Sequence, residues 1–187
     1  YDTVETQAMI PMMLLSPTIV NDGRKLYIAS RPVSFLNYEL VGLQDYASPK
    51  YSGVDFQRLF AGNGARDLRF LSALRMCATF PYITPNTALP TSPALYIMDA
   101  GISDNFGLSD AIRFLYAYHE WIEENTSGIV LVSIRDSPKL AKVPVRTGQT
   151  LMDAFTQPIS SVYNNFENFQ DITSDLLIGY SMELCLR

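Results

Sequence analysis

The stretch LYIMDAGISDNFGLSDAIRFLYAYHEWIEENTSGIVLVSI, residues 95–134, decides the fold. It opens with a short apolar run, Leu95 to Met98, that ends at Asp99-Ala100-Gly101. From Leu108 to Asn125, Leu108, Ala111, Ile112, Leu115, His119 and Ile122 recur at helical spacing and predict one helix. Ile129 to Ile134 (IVLVSI) is apolar and largely β-branched, the pattern of a strand buried on both faces. Strand, loop, helix and strand in that order predict a right-handed βαβ crossover in a mainly parallel sheet. Ligands of such sheets sit beyond the carboxyl ends of the strands, which puts Asp99 where chemistry is expected.

Upstream, Met9 to Leu15 and Lys25 to Ala29 flank the turn signal Asn21-Asp22-Gly23 and predict a strand pair. Residues 31–64, rich in Pro, Gly, Ser, Asn and Tyr, read as mostly loop with one short helix. Ala65 to Ala78 predicts a helix with Phe70, Ala73, Leu74 and Cys77 on one stripe, stopped by Pro81. Four prolines between Pro81 and Pro93 predict an irregular surface loop, and 136–148 reads as a polar loop. From Pro158 onward, Ile159, Val162, Tyr163, Phe166, Phe169, Ile172, Leu176 and Tyr180 recur every three or four residues. The aromatic run from Phe155 to Phe169 is expected in the core; an exposed face would point to membrane contact instead.

The chain has 187 residues, net charge -5, 48% hydrophobic and 18% charged side chains, a composition that excludes a disordered tail and predicts one domain. No basic stripe exists, so nucleic acid is not an expected partner. Cys77 and Cys185 are far apart and lack neighbours at metal-ligand spacing, which predicts neither a disulfide framework nor a metal site. That usage favours the cytoplasm or a membrane surface over a disulfide-forming exterior. No apolar run reaches the roughly 18 residues of a membrane span, and no signal-peptide pattern is present. The chain starts on Tyr1, the pattern of a processed or excised piece.

Ala73-Leu74-Arg75-Met76-Cys77-Ala78-Thr79-Phe80-Pro81, a Pro-rich loop, and then Tyr96-Ile97-Met98-Asp99-Ala100-Gly101-Ile102-Ser103-Asp104-Asn105-Phe106-Gly107 together resemble the patatin-like phospholipase family. Residues 10–29 also resemble the paired strands that precede this block in the family. The resemblance spans most of residues 8–135 and is strongest over 73–107. It implies an α/β three-layer sandwich with a mainly parallel sheet, of which this chain is the C-terminal part. It also implies lipid acyl hydrolysis by a serine–aspartate dyad without cofactor, with Asp99 as the dyad base. Two positions depart from the pattern: Ala100 replaces the commonest middle glycine, and Cys77 stands where Ser is common.

The family's other half, a glycine-rich oxyanion loop and a G-x-S-x-G elbow, is not in the chain. The three G-x-S triplets, beginning at Gly101, Gly107 and Gly179, are followed at the fifth position by Asn105, Ala111 and Glu183. The nucleophile is therefore expected upstream of residue 1, and the chain alone is expected to be inactive. The implied partners are a glycerophospholipid or other ester, the missing N-terminal half and a membrane surface. An open apolar sheet edge would also favour self-association.

Each candidate has a plainer alternative. Asp99 could be a turn former, since Asp and Gly are common after strands. Gly101 and Asn105 are expected to support the Asp99 loop, Asn105 by side-chain hydrogen bonds or by tolerating a left-handed turn. Ser103 is retained as an alternative nucleophile, and Ser109 is expected to cap the following helix. His119 is expected as a packed residue, not a triad member. Residues 99–110 imitate a calcium loop but lack its Gly at position six and Glu at position twelve. Gly62-Asn63-Gly64 reads as a turn, not a phosphate cradle. The rival readings of the whole are an inactive patatin-like interaction module and an unrelated α/β domain.

Overall fold

The computed structural model describes residues 2–37, 51–79, 84–134 and 168–181. The chain divides into two compact units: Tyr1–Ser103 with Arg113–His119, and Asp104–Ile112 with Glu120–Arg187.

The first unit is built on a five-stranded sheet. Its strands are β1 (Thr18–Ile19), β2 (Lys25–Tyr27), β3 (Gly53–Asp55), β4 (Thr87–Leu89) and β5 (Leu95–Met98), in the order β3-β2-β1-β5-β4. Helices α1 (Asp2–Thr6), α2 (Phe56–Leu59) and α3 (Phe70–Cys77) belong to the same unit. The fold is thus mixed α/β, but the sheet corrects the mainly parallel expectation. Pairs β1–β2, β1–β5 and β4–β5 are antiparallel, and β2–β3 is parallel. The reason lies in the connections. Residues 20–24 and 90–94 are short links that can join antiparallel neighbours, whereas a parallel pair needs a long crossover. Only the link from β2 to β3 among these three is long enough.

Because β2 and β5 both run antiparallel to β1, and β3 runs parallel to β2, the carboxyl ends of β2, β3 and β5 share one end of the sheet. Successive residues of β2 serve opposite faces. Leu26 and Ile28 join Ile19, Ile97, Ala73 and Met76 in one core cluster, while Tyr27 packs with Val33 and Leu36 in a second, flanked by Phe35 and Phe114. Each such fully buried side chain contributes roughly 1.5–3 kcal/mol. Gly53 is required by close approach: a Cβ there would lie 2.2 Å from the Tyr27 ring.

Local expectations fared unevenly. The Asn21-Asp22-Gly23 turn is present, with Gly23 at φ 78, but the first partner strand is Thr18–Ile19; of Met9 to Leu15 only Leu15 pairs, bridging Ile28. The segment 31–64, read as mostly loop with one short helix, holds the short helix α2 and also a 3-10 turn at Ser34–Asn37 and strand β3. The Pro-rich loop contains β4. The expected helix from Ala65 is a 3-10 turn, Ala65–Asp67, followed by α3, whose buried residues are Ala73 and Met76 while Phe70 and Leu74 are exposed.

After β5 come α4 (Gly101–Asp104), α5 (Leu108–Ala117) and α6 (His119–Asn125), so the single helix expected over 108–125 is two. The break falls at Tyr118, whose ring packs edge-on against Phe35. His119 is exposed, not packed in a core; its Nδ1 lies 2.8 Å from the Tyr116 carbonyl.

The second unit carries the largest correction. Ile129 to Ile134 form no strand, and the run is exposed throughout, Val130 at 87% and Ile134 at 89%. The βαβ crossover expected over 95–134 is therefore not formed. A further helix, α7, covers 168–181, where Phe169, Ile172, Leu176 and Tyr180 are exposed. The expectations for 136–148, Cys185 and the aromatic run before Phe169 fall outside the described residues.

Candidate functional site

Asp99 follows the last residue of β5 and is pinned by its backbone on two sides. Its N–H donates to the Thr79 carbonyl at 2.8 Å, and its carbonyl accepts the Thr18 hydroxyl at 3.1 Å. Both threonines are buried. Thr79 is itself fixed at the end of α3, where its hydroxyl donates to the Arg75 carbonyl at 2.7 Å.

The carboxylate is less fully satisfied than the backbone. Oδ1 accepts the Gly101 N–H at 2.6 Å, the one hydrogen bond to this carboxylate among the described residues. The residue is half-buried. Loss of hydration raises its pKa above the ordinary aspartate value, and the Gly101 N–H pulls against that rise without cancelling it. A desolvated but incompletely paired carboxylate is a stronger proton acceptor than a solvated one.

Gly101 supports the loop through that N–H, and neither it nor Ala100 adopts a positive φ. The methyl group of Ala100 therefore sits in unstrained backbone. The left-handed residue of the segment is Gly107, at φ 63. Asn105 is exposed, and its N–H donates to Gln170 Oε1 at 2.8 Å; it does not take the left-handed conformation.

Ser103 accepts the Thr18 hydroxyl at 2.9 Å and donates to the Ala100 carbonyl at 3.2 Å. Its hydroxyl thus has both a side-chain and a main-chain partner. The cap of α5 is not Ser109 but Asp104, whose carboxylate accepts the N–H groups of Leu108 at 3.2 Å and Ser109 at 3.0 Å and the Ser109 hydroxyl at 2.5 Å.

Cys77, the last residue of α3, stands near enough to Asp99 to feel its charge. Burial first, and then that charge, push the thiol up to about 11, against a lowering from the Ser16 N–H. At neutral pH it is protonated and a poor nucleophile. No group of His, Cys, Asp and Glu among the described residues could hold a metal ion, and no described helix is long and apolar enough to cross a membrane.

Sequence reading missed a second aspartate at the same end of the sheet. Asp55, 1% exposed, ends β3 and accepts four hydrogen bonds: Val33 N–H and Ser34 Oγ on Oδ2, Gln57 N–H and Arg58 N–H on Oδ1. The available signal was Asp55 immediately ahead of Phe56-Gln57-Arg58-Leu59, an N-cap pattern. A cleft of about 210 Å³ also lies in this unit, and Asp99 is not among its lining residues. No family model matches the chain, and neither a curated protein nor a solved structure matches it.

Proposed function

We propose that the chain is the aspartate-bearing C-terminal part of a patatin-like lipid acyl hydrolase whose nucleophilic serine lies upstream. The observation that carries this reading is the state of Asp99: a strand-end carboxylate, fixed by its backbone, half-buried and incompletely hydrogen-bonded. In the proposed reaction the carboxylate takes the serine hydroxyl proton as the oxygen attacks an ester carbonyl. It returns that proton to the departing alcohol, and water then cleaves the acyl-serine by the same base. The substrate is a carboxylic ester, glycerophospholipids included, and no cofactor enters. The exposed stripe of α7 supports contact with a membrane surface.

The test is ester hydrolysis by the intact polypeptide that carries both this chain and the upstream serine. Asp99→Asn is expected to lower kcat by about 10²–10⁴-fold, and the 187-residue chain alone to be inactive. Full turnover by the Asn variant would remove Asp99 from the mechanism. A second reading, an inactive interaction module, draws on the bare apolar run at Ile129 to Ile134. A parent polypeptide that lacks a G-x-S-x-G upstream would select it.

A further inference from the structure

The cleft of about 210 Å³ has an apolar floor of Leu15, Ile28, Phe56, Leu68 and Ala73. Ile28, Phe56 and Ala73 belong to the main core, and Leu15 and Leu68 are packed against it. Glu5 and Gln57 at its wall are already engaged. Glu5 accepts the Met13 N–H on Oε1 at 3.0 Å and the Ser30 hydroxyl on Oε2, while Gln57 Nε2 donates to the carbonyls of Ala29 at 3.1 Å and Ser30 at 3.2 Å. These bonds fix the wall and leave an occupant the apolar floor. Asp2 and Glu5, against the single basic side chain Arg66, make the lining unfavourable for a free carboxylate.

Its position relates it to Asp99. Leu15 and Ile28 bridge each other at the sheet end where β2 and β5 both finish, the end that carries Asp99. Helix α3 joins the two places: Ala73 lines the floor, and six residues on, Thr79 accepts the Asp99 N–H. From Ala73 to its last residue, Cys77, the helix rises about 6 Å, and Thr79 follows two residues later.

We infer that this cleft is the acyl pocket of the Asp99 site and that it selects short, neutral acyl chains of roughly six carbons; this rests on the hydrolase reading above. The size argument is direct: an apolar cavity of about 150 Å³ accommodates benzene, so about 210 Å³ seats a short chain and not the tail of a long-chain phospholipid.

Two measurements test it. Methyl NMR of the 187-residue chain titrated with 1-hexanol should shift Leu15, Ile28 and Ala73, and both Ala73→Phe and the more tolerant Leu68→Phe should abolish those shifts. No shift at these methyls in the unsubstituted chain would overturn the pocket, whatever the catalysis. In the intact polypeptide, kcat/KM for 4-nitrophenyl esters should peak near six acyl carbons and fall at least tenfold by sixteen, with Leu68→Phe moving the optimum toward two to four. Turnover that rises steadily to sixteen carbons overturns the pocket and leaves the hydrolase reading standing. Hexanol shifts with no turnover of any ester overturn the hydrolase reading and the acyl role with it.

Discussion

Asp55 and Asp99 occupy matching places and do different things. Asp55 is the last residue of β3 and Asp99 directly follows the last residue of β5, at the same end of one sheet, and each bonds the N–H two residues ahead. Asp55 is wholly buried and its carboxylate accepts four hydrogen bonds; Asp99 is half-buried and its carboxylate accepts one. Burial with full satisfaction makes a carboxylate a structural tie, because every lone pair that lost water found a donor. Burial with partial satisfaction leaves basicity to spare. Residue type and topology are shared, so the count of donors separates the capping aspartate from the one proposed as a proton acceptor.

Substitutions can break that comparison. The largest effect on stability belongs to Asp55→Ala, which strands two backbone N–H groups of α2 and the donors at Val33 and Ser34; denaturant unfolding should show a loss of about 3 kcal/mol or more. A loss below about 1 kcal/mol would mean those bonds are not structural. Thr18→Val is intermediate: it removes a buried hydroxyl that ties the Asp99 carbonyl to Ser103, and about 1–2 kcal/mol should be lost. Thr18→Ser should recover most of it, and a Ser variant as unstable as Val would deny the hydroxyl its role. The smallest effect sharpens the site itself. Asp99→Asn removes the charge that helps hold the Cys77 thiol up, so iodoacetamide labelling of Cys77 at pH 8.5, followed by peptide mass spectrometry, should be several-fold faster than in the unsubstituted chain. Equal rates would mean that the two groups do not interact.

Much of the sheet was legible because short-range chemistry specifies it. Asn21-Asp22-Gly23 forces a reversal, and the apolar Leu95 to Met98 finds β1 and β4 on its two sides. The run Ile129 to Ile134 has at least equal strand propensity and stays bare: Ile97 is 0% exposed, Val130 87%. Propensity supplies willingness, whereas a strand needs neighbouring backbone to complete its ladder, which no window of sequence reveals. Direction was illegible for a related reason. Alternating elements suggested crossovers, but the short links at 20–24 and 90–94 dictate antiparallel pairs. At the site, Asp99 and the Gly101 contact follow from the local Asp-x-Gly spacing. The partners that pin the backbone, Thr18 and Thr79, are distant in sequence and emerge only on folding. Asp104 outcompeted Ser109 as the cap because its two oxygens reach both leading N–H groups and the serine hydroxyl at once.

The raised Asp99 pKa also fixes a sign. A carboxyl whose folded value exceeds its unfolded value favours folding when protonated, so its contribution is fully present below about pH 3.9 and is lost as pH rises through the folded value. Asp99→Asn should therefore be more stable than the unsubstituted chain at pH 7, with the advantage fading as pH falls toward 3.9. Loss of turnover together with a gain in stability is the mark of a group kept for chemistry.

The most direct test is a carboxyl-detected ¹³C NMR titration of Asp99 in the 187-residue chain, assigned by its absence in Asp99→Asn. The account predicts a midpoint above that of an ordinary aspartate, about 3.9. A midpoint at or below that value would describe a solvated or fully paired turn residue and would contradict the assignment of Asp99 as a proton acceptor.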